Sequence, residues 1–293
     1  MKIGLFAMGI GAAANPDVVR NVATTGERSG FATLWVGEHV VLFDRHDSKY
    51  PYSEGGKFPL AANADWLDPF TTLTFAAALT SKIRLATGVC LVPEHNPLVL
   101  AKVIASLDKL AKGRFAFGVG IGWLAEEFAA IGVPFERRAQ RTREYIEVMR
   151  KLWSDGVASH HGEFVNFDNA GSYPKPPQGA KLPVIFGGET NPALRRVAEY
   201  GNGWFGFNLD PAETQERIGK LEQLLNQNGR KLSDVELLVA PYTKKITPDD
   251  LKRYRDLGIS EVVMLASFDD APSSAASRVE QVAKEWVEPA AKL

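Results

Sequence analysis

The sequence predicts an α/β fold, a closed (β/α)8 TIM barrel with insertion loops that spans residues 1–293 as a single domain. Short apolar runs alternate with longer amphipathic segments eight times along the 293 residues. Alternating strands and helices indicate parallel strands joined by right-handed crossovers. Eight such units in a chain of this length favour a barrel over an open sheet. Six predicted helices also begin with a capping residue followed by proline.

The elements follow one another in a regular order. The predicted strands are short runs of β-branched, aliphatic and aromatic residues at 2–8, 33–37, 83–90, 114–119, 183–187, 203–207, 235–241 and 261–266. The segments between them show helical periodicity. The predicted helices lie at 16–29, 69–81, 97–111, 137–154, 192–200, 211–228, 248–257 and about 273–287.

Proline marks the predicted helix starts. Proline is favoured at the first helical position because its missing N–H has no partner there, while the preceding side chain accepts from a free amide. In a barrel these starts lie at the carboxyl ends of the strands, where active sites are found. The pairs are Asn15-Pro16, Asp68-Pro69, Asn96-Pro97, Asn191-Pro192, Asp210-Pro211 and Thr247-Pro248.

Composition excludes several classes of partner. Hydrophobic residues make up 45% of the chain, enough for a large core, and the formal charge of −1 gives no basic surface for nucleic acid or an anionic membrane. We interpret the apolar N-terminus as a first strand, and no run reaches the ~18 apolar residues of a membrane span. The single cysteine, Cys90, lies in an apolar run and is expected in the core. A lone cysteine fits a reducing, cytoplasmic location.

Two long irregular stretches, 39–67 and 157–182, are expected to cover the mouth of the barrel. Long loops in a compact domain are usually lids or binding loops. Their aromatic residues indicate a small organic substrate with apolar surface. These residues are Tyr50, Tyr52, Phe58, Trp66 and Tyr173.

Glu38 and His39 are the predicted catalytic residues. They follow the second strand, at the end of a barrel strand where catalytic groups are expected. Histidine suits proton transfer near neutral pH, and the adjacent carboxylate is expected to orient it. The remaining histidines show no metal-ligand spacing, so we expect no metal site; they are His46, His95, His160 and His161.

The predicted fourth strand runs into a loop with glycine at alternate positions, Gly118, Gly120 and Gly122. One side of this segment carries no side chains, so the backbone can approach a flat ligand closely. A bulge or a tightly packed strand end explains the same pattern. The spacing differs from the dinucleotide-binding fingerprint.

Gly187 and Gly188 lead into a predicted helix start with Glu189 and Thr190. Free backbone amides and the helix dipole make such a start a phosphate site, although a simple tight turn uses the same residues. Thr190 offers a hydroxyl donor. Arg195 or Arg196 is expected to add positive charge.

Taken together, these segments resemble the bacterial luciferase-like superfamily of flavin- and deazaflavin-dependent oxidoreductases and monooxygenases. The resemblance covers nearly the whole chain, with the branch labelled F420-dependent as the nearest. It rests on Glu38-His39, Ile83–Val89, Pro97 with Ala101-Lys102 and Ser106–Asp108, Gly113-Arg114, Gly118–Trp123, Glu127-Phe128, Gly187-Gly188, Tyr200-Gly201 and Gly203-Trp204.

The resemblance implies a flavin or deazaflavin ring across the mouth of the barrel, against the ends of strands two to four. It implies a cis peptide at Gly88-Val89 behind the ring and a catalytic role for His39. The cofactor phosphate would meet Gly188, Glu189 and Thr190. A homodimer is also implied.

Ile121 departs from the family pattern, because the luciferases carry an arginine at this position and sugar-phosphate enzymes that use deazaflavin carry a glutamate. Ile121 therefore distinguishes neither cofactor. The resemblance to the F420-dependent branch implies F420, with FMN as the alternative. F420 implies hydride transfer to a small organic substrate. FMN implies a monooxygenase supplied by a separate reductase, and a non-catalytic ligand-binding barrel is a third possibility.

Overall fold

Eight parallel strands close into a barrel in a computed structural model, which describes residues 1–154, 156–267 and 272–293. Around the barrel the order is β1, β2, β3, β5, β8, β9, β10 and β11, and β11 pairs with β1. The strands are β1 Lys2–Phe6, β2 Thr33–Val36, β3 Arg84–Thr87, β4 Cys90–Leu91, β5 Phe115–Gly120, β6 Ala158–His161, β7 Asn166–Ala170, β8 Val184–Gly187, β9 Gly203–Phe207, β10 Glu236–Ala240 and β11 Glu261–Leu265. The predicted (β/α)8 fold is confirmed.

The predicted third strand, 83–90, is divided in two. β3 ends at Thr87, and a cis peptide joins Gly88 to Val89 before the two-residue strand β4. β3 and β4 both pair with β5, so the two halves of the predicted strand remain in the same position in the sheet. The cis peptide implied by the family resemblance is confirmed.

Helices fill the connections between the strands. They are α1 Pro16–Arg28, α2 Pro69–Leu79, α3 Pro97–Leu110, α4 Ala125–Ala130, α5 Arg138–Trp153, α6 Asn191–Tyr200, α7 Pro211–Gln227, α8 Asp250–Asp256, α9 Ala275–Val282 and, after a π-helical turn at Ala283–Val287, α10 Glu288–Ala290. Among the described residues, no helix combines the length and the apolar composition that crossing a bilayer requires.

Four of the six predicted caps are confirmed: the side chains of Asn15, Asp68, Asn96 and Asp210 accept from the first amides of their helices. At α6 the cap is Thr190 instead of Asn191, because the helix begins one residue earlier than expected. α8 begins after Pro248, and Thr247 donates to the Asp250 carboxylate.

Among the described residues, the strands β6 and β7 and the helix α4 were not predicted. Residues 157–182 contain the antiparallel hairpin β6–β7, and α4 follows the glycine segment after β5. The stretch 39–67 carries no strand or α-helix in the structure, as expected. A 3₁₀ turn at Glu54–Gly56 interrupts it.

The core has two layers. Most buried apolar side chains lie between the strands and the helices. A smaller cluster fills the barrel interior, where Trp35 stacks on Phe205 with ring centroids 4.8 Å apart. Below it Glu261 accepts from Trp35 Nε1 and Thr33 Oγ1, both at 2.8 Å. Side chains therefore pack the lower barrel, and the carboxyl ends of the strands above them are where a barrel of this kind is expected to bind a ligand.

Candidate active site

His39 lies at the carboxyl end of β2 and is oriented by a buried carboxylate. Its Nδ1 is 2.8 Å from Glu127 Oε2, and the Glu127 side chain is fully buried in α4. The other oxygen, Oε1, accepts from the amides of Val40 (2.6 Å) and Val41 (3.1 Å). Because Glu127 accepts the proton on Nδ1, Nε2 is the ring nitrogen that remains to exchange a proton with a ligand. Nε2 makes no hydrogen bond to another described residue.

Glu38, the predicted orienting carboxylate, does not contact His39. Its oxygens accept from the Leu91 amide at 2.5 Å and face His95 Nε2 at 2.9 Å. Burial alone would raise the pKa of Glu38, but the hydrogen bond and charge of His95 and the Leu91 amide outweigh it, so the pKa is lowered. Adjacent residues of an extended chain point in opposite directions, and Glu38 therefore faces β4. Glu127 takes the role that the sequence assigned to Glu38.

Glu38, Cys90 and His95 lie closer together than the sequence predicted. Ligand-type atoms of Glu38, Cys90 and His95 lie within 4.8 Å of one another. Glu38 already accepts from Leu91 and His95, and burial raises the pKa of the Cys90 thiol well above its usual value. We interpret the cluster as a hydrogen-bonded part of the core, in which Cys90 is a buried residue as expected.

A third carboxyl group, Glu94, is buried behind the glycine segment. Glu94 is 9% exposed, and neither oxygen of its carboxyl group has a hydrogen-bond partner among the described residues. Burial, with the charges of Glu127 and Glu38, raises the pKa of Glu94 to about 9. Glu94 is therefore a neutral acid at physiological pH.

Aromatic rings surround His39. The rings of Trp66, Phe58 and Trp123 lie edge-on to the imidazole, at centroid distances of 4.9, 5.3 and 5.9 Å. Tyr50 packs on both Phe58 and Trp123. The segment 39–67 thus brings Tyr50, Phe58 and Trp66 to the mouth, next to the candidate acid.

The alternating glycines follow packing requirements. A Cβ on Gly118 would lie 1.8 Å from the Thr87 carbonyl, and one on Gly120 would lie 2.6 Å from a methyl of Val89. Gly122 has φ +75° and borders Phe128 and Glu94. The packing interpretation therefore explains Gly118, which is buried. Gly120, Ile121 and Gly122 are partly exposed, so a ligand contact at these residues stays a prediction.

Val89 occupies the top of the inner core. Its side chain packs on the interior cluster, and its methyl groups lie where Cβ atoms of Gly120 and Gly187 would come to within 2.6 and 3.2 Å. The absence of a Cβ on Gly120 and Gly187 therefore leaves room for the Val89 side chain beside β5 and β8.

The turn between β8 and α6 has the features of an anion site. Gly188 adopts φ +112°, and Thr190 caps α6 by accepting from Ala193 N at 3.4 Å. Arg196 is partly buried, and its Nε has no partner in the described part of the chain, whereas Arg195 is exposed. The Glu189 side chain turns away from the helix start, since Oε1 accepts from Phe207 N at 2.7 Å.

Arg138, the first residue of α5, is a second cation and lies beside the glycine segment. Its Nε donates to the Gly122 carbonyl at 3.1 Å, and its guanidinium lies 3.7 Å from the centroid of the Phe135 ring. Burial, followed by weaker effects that include the charge of Arg138, lowers the pKa of Arg196. Arg138 and Arg196 are therefore close enough for their charges to interact, and an anion beside them would be stabilised by charge-assisted hydrogen bonds.

Sequence reasoning assigned no role to Glu127, Glu94 or Arg138. Glu127 is 88 residues from His39 in the chain, so only the fold reveals the contact. The one signal in the sequence was that Glu127-Phe128 is among the segments that carry the family resemblance.

Three comparisons place the chain among known proteins. An uncharacterised protein of Mycobacterium tuberculosis is 37% identical over 262 residues, covering 89% of this chain and 91% of that protein. The coenzyme F420-dependent tetrahydromethanopterin reductase of Methanopyrus kandleri has a similar fold, with a TM-score of 0.75, 18% identity and 98% coverage of both chains. The oxygenating constituent of 3,6-diketocamphane monooxygenase from Pseudomonas putida, in complex with FMN, has a TM-score of 0.75, 14% identity, and coverage of 99% of this chain and 98% of that one.

The family model described as luciferase-like monooxygenase matches residues 1–267. Its members are F420-dependent oxidoreductases or flavin-dependent monooxygenases. The chain therefore belongs to the luciferase-like family and is an oxidoreductase of one of these two kinds.

Proposed function

We propose that the protein uses reduced coenzyme F420 for hydride transfer to a small organic substrate, with His39 as the proton donor. The observation that carries the proposal is the buried contact between His39 and Glu127 at the mouth of the barrel. A carboxylate that accepts from Nδ1 fixes the ring orientation and stabilises the protonated imidazole, the arrangement that general acid catalysis needs.

The residues at the mouth fit a flat cofactor with a phosphate-bearing tail. Val89 offers an apolar surface at the top of the inner core. Gly188 and Thr190 would hold the phosphate at the start of α6, where free amides and the helix dipole favour an anion. Arg196 has an unpartnered buried Nε, and Arg138 supplies the charge that Ile121 lacks.

The chemistry divides between cofactor and chain. When bound, a reduced deazaflavin supplies a hydride to an electron-poor carbon of an enone, imine or carbonyl compound. His39 Nε2 then gives its proton to the developing anion, and Glu127 stabilises the protonated ring before transfer. Phe58, Trp66 and Trp123 exclude water and bind apolar substrate surface.

FMN is the alternative cofactor, and the similarity to the FMN-bound oxygenase favours considering it. In that case the protein would be a monooxygenase, and a separate reductase would supply reduced flavin. His39 would assist oxygen insertion through the same Nε2. The non-catalytic barrel has less support, because His39 is retained at the end of β2 with a buried carboxylate partner.

A fluorescence titration tests the proposal. The purified protein is titrated with F420, with FMN, and with the same two ring systems lacking the phosphate. We expect saturable micromolar binding of one phosphate-bearing cofactor. Arg138→Gln should weaken that binding about 10-fold, as expected for one hydrogen bond to a charged group, and leave the phosphate-free ring unaffected.

Arg143→Gln is the matched control, because Arg143 lies on the same helix and pairs with Glu199 at an exposed site. It should bind the cofactor like the parent. If neither cofactor binds, the proposal fails. Equal loss of the phosphate-bearing and phosphate-free ligands in Arg138→Gln would refute the phosphate assignment alone.

A further inference from the structure

The segment 39–67 crosses the mouth of the barrel from one wall to the opposite wall. It leaves the carboxyl end of β2 at His39 and returns to the same side, where Trp66 pairs with the chain just after β1. Between these ends the ring of Tyr52 packs on Phe207, the last residue of β9, with centroids 4.9 Å apart. β9 lies four places from β2 in either direction around the eight-strand barrel. The segment therefore spans the full width of the mouth.

The middle of this segment has few backbone ties to the rest of the fold. Among the described residues, the backbone of 49–64 forms hydrogen bonds only within the segment, such as the one from Tyr50 N to the Gly56 carbonyl at 2.8 Å. Gly55 and Gly56 both have positive φ, +78° and +74°, and a Cβ on Gly55 would meet no atom within 4 Å. Regions with few ties to their surroundings open at low cost in free energy. We call residues 50–56 the tip of the segment.

Aromatic side chains hold the tip against the far wall. Tyr52 contacts Phe207, which in turn packs on Tyr242 at 4.7 Å. The Tyr52 hydroxyl interacts with the Glu189 carboxyl group, and the Tyr50 hydroxyl interacts with that of Tyr242. The three partners lie at the carboxyl ends of three adjacent strands, β8, β9 and β10. The tip is therefore attached to the far wall by side chains alone.

The same run of rings reaches back to the candidate acid. Tyr50 packs on Phe58 at 4.9 Å and on Trp123 at 5.3 Å, and both of these rings contact His39. The rings thus form a continuous cover between the two walls. A flat ring bound over Val89 and beside His39 would lie between this cover and the inner core. Such a ligand has to pass the cover to reach its site.

We propose that the segment 39–67 is a lid and that the contact between Tyr52 and Phe207 is its latch, which opens to admit a ligand and closes over it. The inference rests on the proposed function for the identity of that ligand, a flat cofactor followed by an organic substrate. Movement is confined to the tip, because Glu126 holds the amides that precede it. Closure shields the ring and His39 from water during the reaction.

The first test needs no cofactor. Tyr52→Ala removes the latch ring, so the tip amides should exchange with solvent about 2- to 10-fold faster, the range expected for one aromatic ring pair. Tyr52→Phe keeps the ring and should have a smaller effect. The amides of β1 should exchange as in the parent, which shows that the barrel stays folded. Tip exchange in Tyr52→Ala that matches the parent would overturn the inference.

Two further variants separate the latch from a general loosening. Phe207→Leu removes the same ring contact from the far wall and should also accelerate exchange at the tip. In the double variant the increase should fall short of the product of the two single effects, because both substitutions remove one contact. Tyr173→Ala, at a 58% exposed tyrosine of the other long loop, should leave tip exchange unchanged. Independent effects of the two latch substitutions, or equal acceleration in Tyr173→Ala, would contradict the latch.

Stopped-flow fluorescence with F420 and with FMN tests whether the lid controls entry. In Tyr52→Ala, association and dissociation of the cofactor that binds should both be about 2- to 10-fold faster than in the parent, because a closed lid slows passage in both directions. Association at the parent rate in a variant whose tip exchanges faster would refute the lid, while the proposed function stands. If neither cofactor binds, the proposed function fails, and hydrogen exchange still decides whether the latch exists.

Discussion

At the scale of single residues, two neighbouring carboxylates have different roles. Glu127 contacts His39, whereas Glu38 holds Leu91 and His95. We predict that Glu127→Gln lowers turnover by about 10²-fold, because an amide NH₂ facing Nδ1 would favour the wrong histidine tautomer. Nitrogen NMR of the His39 ring should show the change of tautomer directly.

Glu38→Gln is the matched control. Glu38 is a second buried carboxylate near the end of β2, and its hydrogen bonds go to Leu91 and His95 instead of to His39. It should lower the free energy of unfolding by a few kcal/mol, as expected when a buried ion pair loses one partner, and leave the His39 tautomer unchanged. A tautomer change in Glu38→Gln and none in Glu127→Gln would contradict the assignment.

Glu94 should make stability depend on pH. Its pKa is about 9 in the folded protein and 4.5 when unperturbed. Between these values the folded state binds the extra proton, so the parent loses stability as pH rises, by at most about 1.4 kcal/mol per pH unit. Glu94→Gln removes this dependence. Urea denaturation between pH 4.5 and pH 9 gives the free energy of unfolding of the parent and of Glu94→Gln. The difference between the two proteins should grow as pH rises. A difference that stays constant with pH would show that Glu94 is not buried as a neutral acid.

At the scale of elements, α4 anchors the segment that forms the aromatic wall. Glu126 Oε1 accepts from Asp47 N at 2.7 Å and Ser48 N at 3.2 Å, and Ser48 Oγ accepts from Ala125 N at 3.0 Å. Burial opposes the charged form, but Ser48 and the backbone amides lower the pKa of Glu126 to about 2. The anchor is therefore complete above the unperturbed pKa of 4.5 and is lost as pH falls towards 2.

We predict that Glu126→Ala loosens this segment without unfolding the barrel. The amides of Asp47 and Ser48 should exchange faster with solvent, and limited proteolysis should cleave within 39–67 more rapidly. Glu136→Ala, at an exposed glutamate, should behave like the parent. Unchanged exchange at Asp47 and Ser48 in Glu126→Ala would show that Glu126 does not hold the segment.

Much of the fold follows from sequence, because long amphipathic helices and apolar strands have distinct periods. The elements that were missed lack such a pattern. α4 has six residues, too few for a clear period, and the hairpin β6–β7 contains polar residues such as His160, His161 and Asn166. The position of His39 was predictable from its place after a strand. Its partner Glu127 was not, because nothing local relates residues 88 apart.

At the scale of the whole molecule, the outer face of α2 predicts a homodimer. α2 contains no charged residue, although Thr71, Phe75 and Ala78 are exposed on it. Val99 on the adjacent helix α3 is 62% exposed. A helix that is apolar on all sides is usually covered, so we expect a second copy to cover this face.

Light scattering after gel filtration should give twice the chain mass for the parent. Phe75→Glu, which places a charge on the exposed face of α2, should give a monomer. Val157→Glu changes an exposed apolar residue far from α2 in the chain and should leave the dimer intact. A monomeric parent protein would contradict the predicted homodimer, but it would not bear on the proposed active site.

A crystal structure with the bound cofactor tests the central claim most directly. We predict that the ring lies at the mouth over Val89, beside His39 Nε2, with its phosphate between the start of α6 and Arg138. Density for the ring at any other surface, or a ring at the mouth whose phosphate lies away from α6 and Arg138, would contradict it.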